Sequence, residues 1–332
     1  MKSIGDPAAL HSGAAGSEAK GETGRMRHIT VSQDGQGDFE RIGEAIEAVR
    51  VLPLEPVTIF VKNGVYREKL LVPDTKPDIS LIGESAEGTV IAYGDYAQMK
   101  GTNGSELTTF RTATLKVDAD DFRMENVTVQ NTAGYGAAIG QAVALYTAGD
   151  RQTYRNVRLL GNQDTLYTGR GRQYFAGCYI EGHVDYIFGS ATVLFEGCEI
   201  HSLRGGFITA ASTAARTEVG YVFRGCRLTG RAPEGSVYLG RPWRPAAHTV
   251  FIDTWMGPHI HRDGWDNWSS PDNERTARYG EFGSTGPGAA PEARVAWAAA
   301  LTEAEAVSFD VRRVLGGPDG WSPAGAGVEE GR

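Results

Sequence analysis

From Val57 onward the apolar residues come in short runs broken by Gly, Asn and Asp, with no helical period between them. This pattern predicts strands at VTIFV, ISLIG, TVIAY, ATLKV, FRMENVTV, AVALYT, TYRNVRLL, RQYFAGCYI, YIFG, TVLFEGCEI, GFITA, YVFRGCRL, VYLG and HTVFID. A strand from His28 to Val31 precedes them. Between the two lies FERIGEAIEAVR, where Ile42, Ile46 and Val49 fall at i, i+4 and i+7 and predict one amphipathic helix. Asp38 is its expected N-cap, and Pro53 and Pro56 end it. One helix ahead of so many strands reads as a lid on the end of a β-structure. After Val250 the chain turns richer in aromatic and polar residues and is expected to form an excursion along the outside. TEAEAVSFDVRRVL closes the pattern as a short helix, with Thr302 and Glu305 at capping-box spacing.

The strands repeat weakly. FRMENVTV, YRNVRLL, YFAGCYIEG, FEGCEIHS and FRGCRLTG share an aromatic, then Asn or Gly, then Val or Cys, and an apolar residue two further on. The Asn or Gly falls at 126, 156, 177, 197 and 225, giving steps of 30, 21, 20 and 28. Coils of this length with insertions point to a right-handed parallel β-helix; a sandwich or barrel has serial short strands but does not require such a repeat. Residues one coil apart stack at the strand spacing of ~4.8 Å. Cys178 and Cys198 therefore stack, either as a disulfide or as a ladder of buried thiols that Cys226 continues. The ladder is favoured.

Composition narrows the function classes. The chain has 332 residues and a net charge of −8, which argues against nucleic acid as a partner. A polyanionic ligand would need local arginines. No run is long enough to span a membrane, and the three cysteines form no zinc-like cluster. Residues 1–27 are expected to be disordered, 28–323 to form one domain, and 324–332 to be a loose tail. The first 25 residues contain no apolar signal-type stretch, and the sequence leaves the compartment open.

Chemistry concentrates between Gln141 and Gly189. Gln141, Gln163 and Asp185 stand 22 residues apart, and Asp164 follows Gln163. Stacked on one face, two amides beside a carboxylate would make oxyanion donors next to a nucleophile. A second carboxylate nearby pushes the two pKa values apart, so that one is an acid and the other an anion. Strict alternation would send Gln163 and Asp164 to opposite faces, so a bend near Gly161–Asn162 is expected. Arg241, in the segment after VYL, could pair with Asp185, and Trp243 offers a flat face for a sugar. Alone, each has an ordinary structural explanation; the chemical reading rests on five of them holding together at coil spacing. No G-x-S-x-G, H-E-x-x-H or P-loop competes.

GVYREKL, QAVAL, QDTLY, DYIFG and LGRPW occur here in the order of the five signature segments of pectin methylesterases, and the chain resembles that family from Ile29 to Pro323. The resemblance implies a right-handed parallel β-helix without metal or organic cofactor, acting as a monomer on methyl-esterified homogalacturonan. It implies Asp185 as nucleophile, Asp164 as general acid/base, Gln141 and Gln163 as oxyanion donors and Arg241 as the residue orienting Asp185. Trp243, Tyr167 and Tyr186 become substrate-binding aromatics, although Tyr186 stands where the family usually has Phe, so its hydroxyl needs a partner. Members of the family are usually secreted. Two rivals on the same scaffold predict other residues. A calcium-dependent lyase should show a carboxylate cluster with a basic residue, and a galacturonase several acids and no glutamine pair. A binding protein without activity should have lost an aspartate or Arg241.

Overall fold

The computed structural model describes residues 27–323. The segments expected to be disordered or loose lie outside the described residues, apart from Arg27, which opens the first strand, Arg27–Val31. Every strand-to-strand ladder is parallel among the described residues. An eleven-stranded sheet runs from Arg27–Val31 through Val57–Val61 and Ile79–Gly83 to Arg278–Phe282 and Ala299–Ala300. A thirteen-stranded sheet covers the other two sides of the coil. It is continuous because Tyr179–Gly189 and Glu199–Ala211 pass round the corner unbroken. The chain is a right-handed parallel β-helix.

The repeat seen in the sequence is a column of backbone turns. Asn126, Asn156, Gly177, Gly197 and Gly225 all have left-handed backbones, with φ between 48° and 59°, and Asp253 and Gly283 extend the column at 50° and 64°. Only Gly, Asn and Asp adopt this conformation at little cost, which is why the repeat uses them. The turn splits FRMENVTV and TYRNVRLL into two strands each. Two residues before five of these turns, from Asn156 to Asp253, an aromatic enters the core. Tyr154, Phe175, Phe195, Phe223 and Phe251 stack with centroids 4.4, 5.1, 4.4 and 4.5 Å apart. Each such pair adds about 0.5–1.5 kcal/mol beyond its burial. In the first rung of that column Met124 pairs with Tyr154, and Phe122 packs beside it instead. Cys178, Cys198 and Cys226 are free and buried; each thiol lies 3.4 Å from the carbonyl of Tyr154, Phe175 or Phe195 on the preceding coil.

The first helix, Ile42–Ala48, buries Ile42 and Ile46 as predicted, but Asp38 does not cap it. The Asp38 carboxylate accepts instead from the Thr30 amide at 2.7 Å. The cap comes from Glu68, which accepts from the amides of Ile42 and Gly43 at 2.9 and 3.1 Å. Lys76 holds the other end, donating to the carbonyls of Ile46 and Glu47 at 2.8 and 2.9 Å. Negative charge at the start of a helix and positive charge at its end are each favourable by about 0.3–1 kcal/mol.

The stretch after Val250 is only partly an outer excursion. Trp265 is fully buried in the core and stacks on Tyr279 at 4.2 Å, so this stretch continues the coil. The predicted C-terminal helix is two, Glu303–Ser308 and Val311–Leu315. The Thr302–Glu305 capping box is present, and Asp310 caps the second helix through the Arg313 amide. Ala306, Phe309, Val314 and Leu315 cover the outward apolar side chains Leu194, Val222 and Val250 of the first sheet.

Candidate active site

Asp164 and Asp185 sit on adjacent rungs of one corner. The ladder pairs Leu145 with Leu166, Leu166 with Ile187, and Gln163 with Val184, each 21 residues apart. Asp164 and Asp185 are likewise 21 apart. The stacked neighbours are therefore the two carboxylates, rather than Gln163 and Asp185 as the spacing of 22 suggested. That spacing marks residues displaced by one position per coil. The expected bend is at the aspartates themselves, with φ of 64° at Asp164 and 49° at Asp185. A left-handed residue breaks the alternation of faces, so Gln163 and Asp164 can both reach the same side. A register shift between Val184 and Ile187 marks the same corner.

Gln141, Gln163, Asp164, Asp185, Arg241 and Trp243 line one open cavity of about 300 Å³, together with Phe110, Phe188 and Trp268. Arg241 reaches Asp185 across 56 residues of chain, with Nε donating to Oδ1 at 2.9 Å and Nη2 to Oδ2 at 2.7 Å. Its backbone is fixed by a bond from its amide to the Thr209 carbonyl at 2.9 Å. A Cβ on Gly240 would stand 2.0 Å from Thr209 Oγ1, so only glycine lets the chain pass this close just before Arg241. The guanidinium lies between the rings of Phe207 and Trp268, at 3.9 and 3.8 Å.

Both carboxylates are 7% exposed. Burial pushes the Asp164 carboxyl well above the usual carboxylate range, and the charge of Asp185 adds to the rise. Burial raises Asp185 too, but hydrogen bonds and charge from Arg241 oppose it. With the cation on Asp185, a proton entering the pair goes to Asp164. The amides of Gln141 and Gln163 face the cavity without a hydrogen-bond partner among the described residues.

The pectinesterase family model matches residues 28–318. Pectinesterase 31 of Arabidopsis thaliana is 41% identical over 288 residues, spanning 85% of this chain and 90% of that protein. The chain belongs to the pectinesterase family. Among solved structures, the pectin methylesterase from carrot superposes with a TM-score of 0.83 at 32% identity, covering 92% of this chain and 99% of that one. A pectin methylesterase in complex with hexasaccharide VII superposes at 0.80 and 31% identity, covering 90% and 99%. This pectinesterase is a carboxylic ester hydrolase that removes methyl esters from pectin.

Of the three aromatics predicted to bind substrate in this pectinesterase, the structure brings Trp243 to the cavity and Tyr167 beside it. Tyr167 lies 5.0 Å from Phe110 and from Phe188 and 4.6 Å from Tyr146, on the wall of a neighbouring hollow. Tyr186 is not a surface residue. It is completely buried, and its hydroxyl bonds Ser202 Oγ at 3.0 Å, which supplies the partner its extra oxygen requires. The residue next to a left-handed corner points opposite to Asp185, into the core. Tyr186→Phe is expected to cost about 1 kcal/mol in urea melts, since Ser202 is left unpaired, and to leave methanol release unchanged. Sequence reasoning missed Phe110, Phe188 and Trp268 at the cavity. Trp268 arrives from the stretch after Val250 on a left-handed backbone, φ 56°, and nothing in its local sequence marks which side it faces.

Proposed function

We propose that this pectinesterase works through Asp185 as nucleophile and Asp164 as acid and then base, as a monomer. The observation that carries the reading is the bidentate Arg241–Asp185 pair one rung from the buried Asp164, whose carboxyl burial pushes well above the usual range. Arg241 keeps Asp185 ionised and aligned. An Asp185 oxygen attacks the carbonyl carbon of a methyl-esterified galacturonate, and the resulting oxyanion is met by amide N–H groups of Gln141 and Gln163. The C–O bond to the methoxy group breaks, and that oxygen takes the proton of Asp164 to leave as methanol. Asp185 now holds the sugar as an acyl anhydride. Asp164, as carboxylate, takes a proton from water; the hydroxide adds to the acyl carbon; Asp185 leaves as carboxylate. The product is free galacturonate, and Asp164 is protonated again.

The direct test is methanol release from highly methylated pectin by the purified chain, with a chelator present. Release is expected; its absence would overturn the reading. Gln163→Leu tests the oxyanion donors. Losing one such donor costs about 10²–10³-fold in kcat, and KM should change far less, because the interaction is strongest with the tetrahedral oxyanion.

A further inference from the structure

One carboxylate near Asp185 has no part in the mechanism. Asp266 stands in a segment that runs alongside the residues leading into Arg241. The Leu239 amide donates to the Gly264 carbonyl at 2.7 Å, and the Asp266 amide donates to the Gly240 carbonyl at 3.1 Å. The Asp266 side chain turns back to its own chain, where Oδ1 accepts from the Trp268 amide at 2.7 Å. Such a bond over two residues closes a turn. Trp268 and Ser269 both take left-handed backbones there, each with φ 56°. Neither Trp nor Ser favours that conformation, so contacts around the turn must hold it. Asn267 supplies two of them. Its side chain donates to Glu274 Oε1 at 2.7 Å and its carbonyl accepts from the Asn273 side chain at 2.9 Å, pinning the turn to the helix Pro271–Thr276.

The turn sets the position of one ring. Of the two rings that hold the Arg241 guanidinium, Phe207 is carried by the strand Glu199–Ala211, whereas Trp268 is carried by this turn alone. A guanidinium held between two rings cannot tilt, so its fork stays in line with the Asp185 carboxylate. If the Trp268 ring slides away, one face is free and the fork loses its alignment. The Asp266 charge acts on the same pair from the other direction, raising the Asp185 carboxyl where Arg241 lowers it. The groups that face Asp185 are thus Asp164, Arg241, Asp266 and, from the core side, Tyr279. Burial pushes the Tyr279 phenol well above its ordinary range, so it stays uncharged.

We propose that Asp266 is a positioning residue for the ester hydrolysis: its carboxylate fixes Trp268 against Arg241, and its negative charge offsets part of the pull of that arginine on Asp185. This rests on the roles given to Asp185 and Arg241 above. The experiment measures kcat and the acidic limb of kcat/KM for methanol release from methylated pectin, with thermal melts to check folding. In Asp266→Ala, kcat is expected to fall about tenfold, the scale of one lost hydrogen bond to a charged group. Asp266→Asn keeps an oxygen for the Trp268 amide, so kcat should return to within about twofold of the parent, while the lost charge moves the acidic limb to lower pH. In Trp268→Ala there is no ring to place, and adding Asp266→Ala should change kcat by less than about twofold. An Asp266→Asn variant as slow as Asp266→Ala, a limb that stays in place, or effects of Asp266→Ala and Trp268→Ala that multiply would each overturn the proposal. If Asp266→Ala fails to fold, the limb in Asp266→Asn decides. A parent that releases no methanol, or an Asp185→Asn variant as fast as the parent, overturns the reading of the corner instead.

Discussion

Asp185→Asn is expected to lower methanol release from methylated pectin by about 10⁴-fold or more, to the background of the assay. Asparagine is the right probe because it tolerates the left-handed backbone that Asp185 adopts at φ 49°, where alanine adds strain. It also keeps one oxygen for Arg241 while removing the charge and the nucleophilic oxygen pair. The fold should survive, with a stability loss of about 3 kcal/mol or less, because the guanidinium still stacks between Phe207 and Trp268. A folded variant, checked by thermal melting, that turns over at near the parent rate would remove Asp185 from the mechanism.

Arg241→Gln should produce the second largest effect, and its signature is in the pH profile. In the parent, burial raises the Asp185 carboxyl and Arg241 opposes the rise. Without Arg241 nothing opposes burial and the nearby charge of Asp266, so Asp185 becomes an anion only at higher pH. The acidic limb of kcat/KM should move up by about 1–3 pH units, the range over which an adjacent opposite charge acts. Stability moves the other way. A carboxyl whose folded pKa lies above its unfolded value stabilises the fold fully below the unfolded value, and that contribution is lost as pH rises towards the folded one. The variant should thus gain activity and lose stability over the same pH interval. A limb that stays in place while activity falls would mean that Arg241 acts only by holding the loop.

Much of this was legible because the β-helix repeats its chemistry at fixed intervals. The column of Asn and Gly turns wrote the coil length into the sequence, and the signature segments put Asp164, Asp185, Gln141, Gln163 and Arg241 in one cavity. Register was legible only to within one residue. A spacing of 22 between polar side chains looks like a stack, yet the hydrogen-bonded step is 21, and only the backbone angles at the two aspartates reconcile these. Side-chain direction beside such a corner cannot be counted from alternation, which is why Tyr186 was expected at the surface and lies in the core. Glu68 was hidden for another reason: it caps a helix 26 residues earlier, and cap motifs are local patterns. Trp268 and Phe110 reach the cavity from irregular segments with no period to follow.

The distance in sequence between the members of the site has a consequence for how the molecule comes into being. Asp164 and Asp185 are joined by a single coil, so their corner can form as soon as that turn closes on its neighbour. Arg241 comes 56 residues after Asp185. During synthesis from the N-terminus both acids are made before their cation. Arg241 is the group whose charge and hydrogen bonds oppose the effect of burial on Asp185, so that opposition is in place only once its coil has packed. Of Asp164, Asp185 and Arg241, the last to be made is therefore the one that opposes the protonation of Asp185.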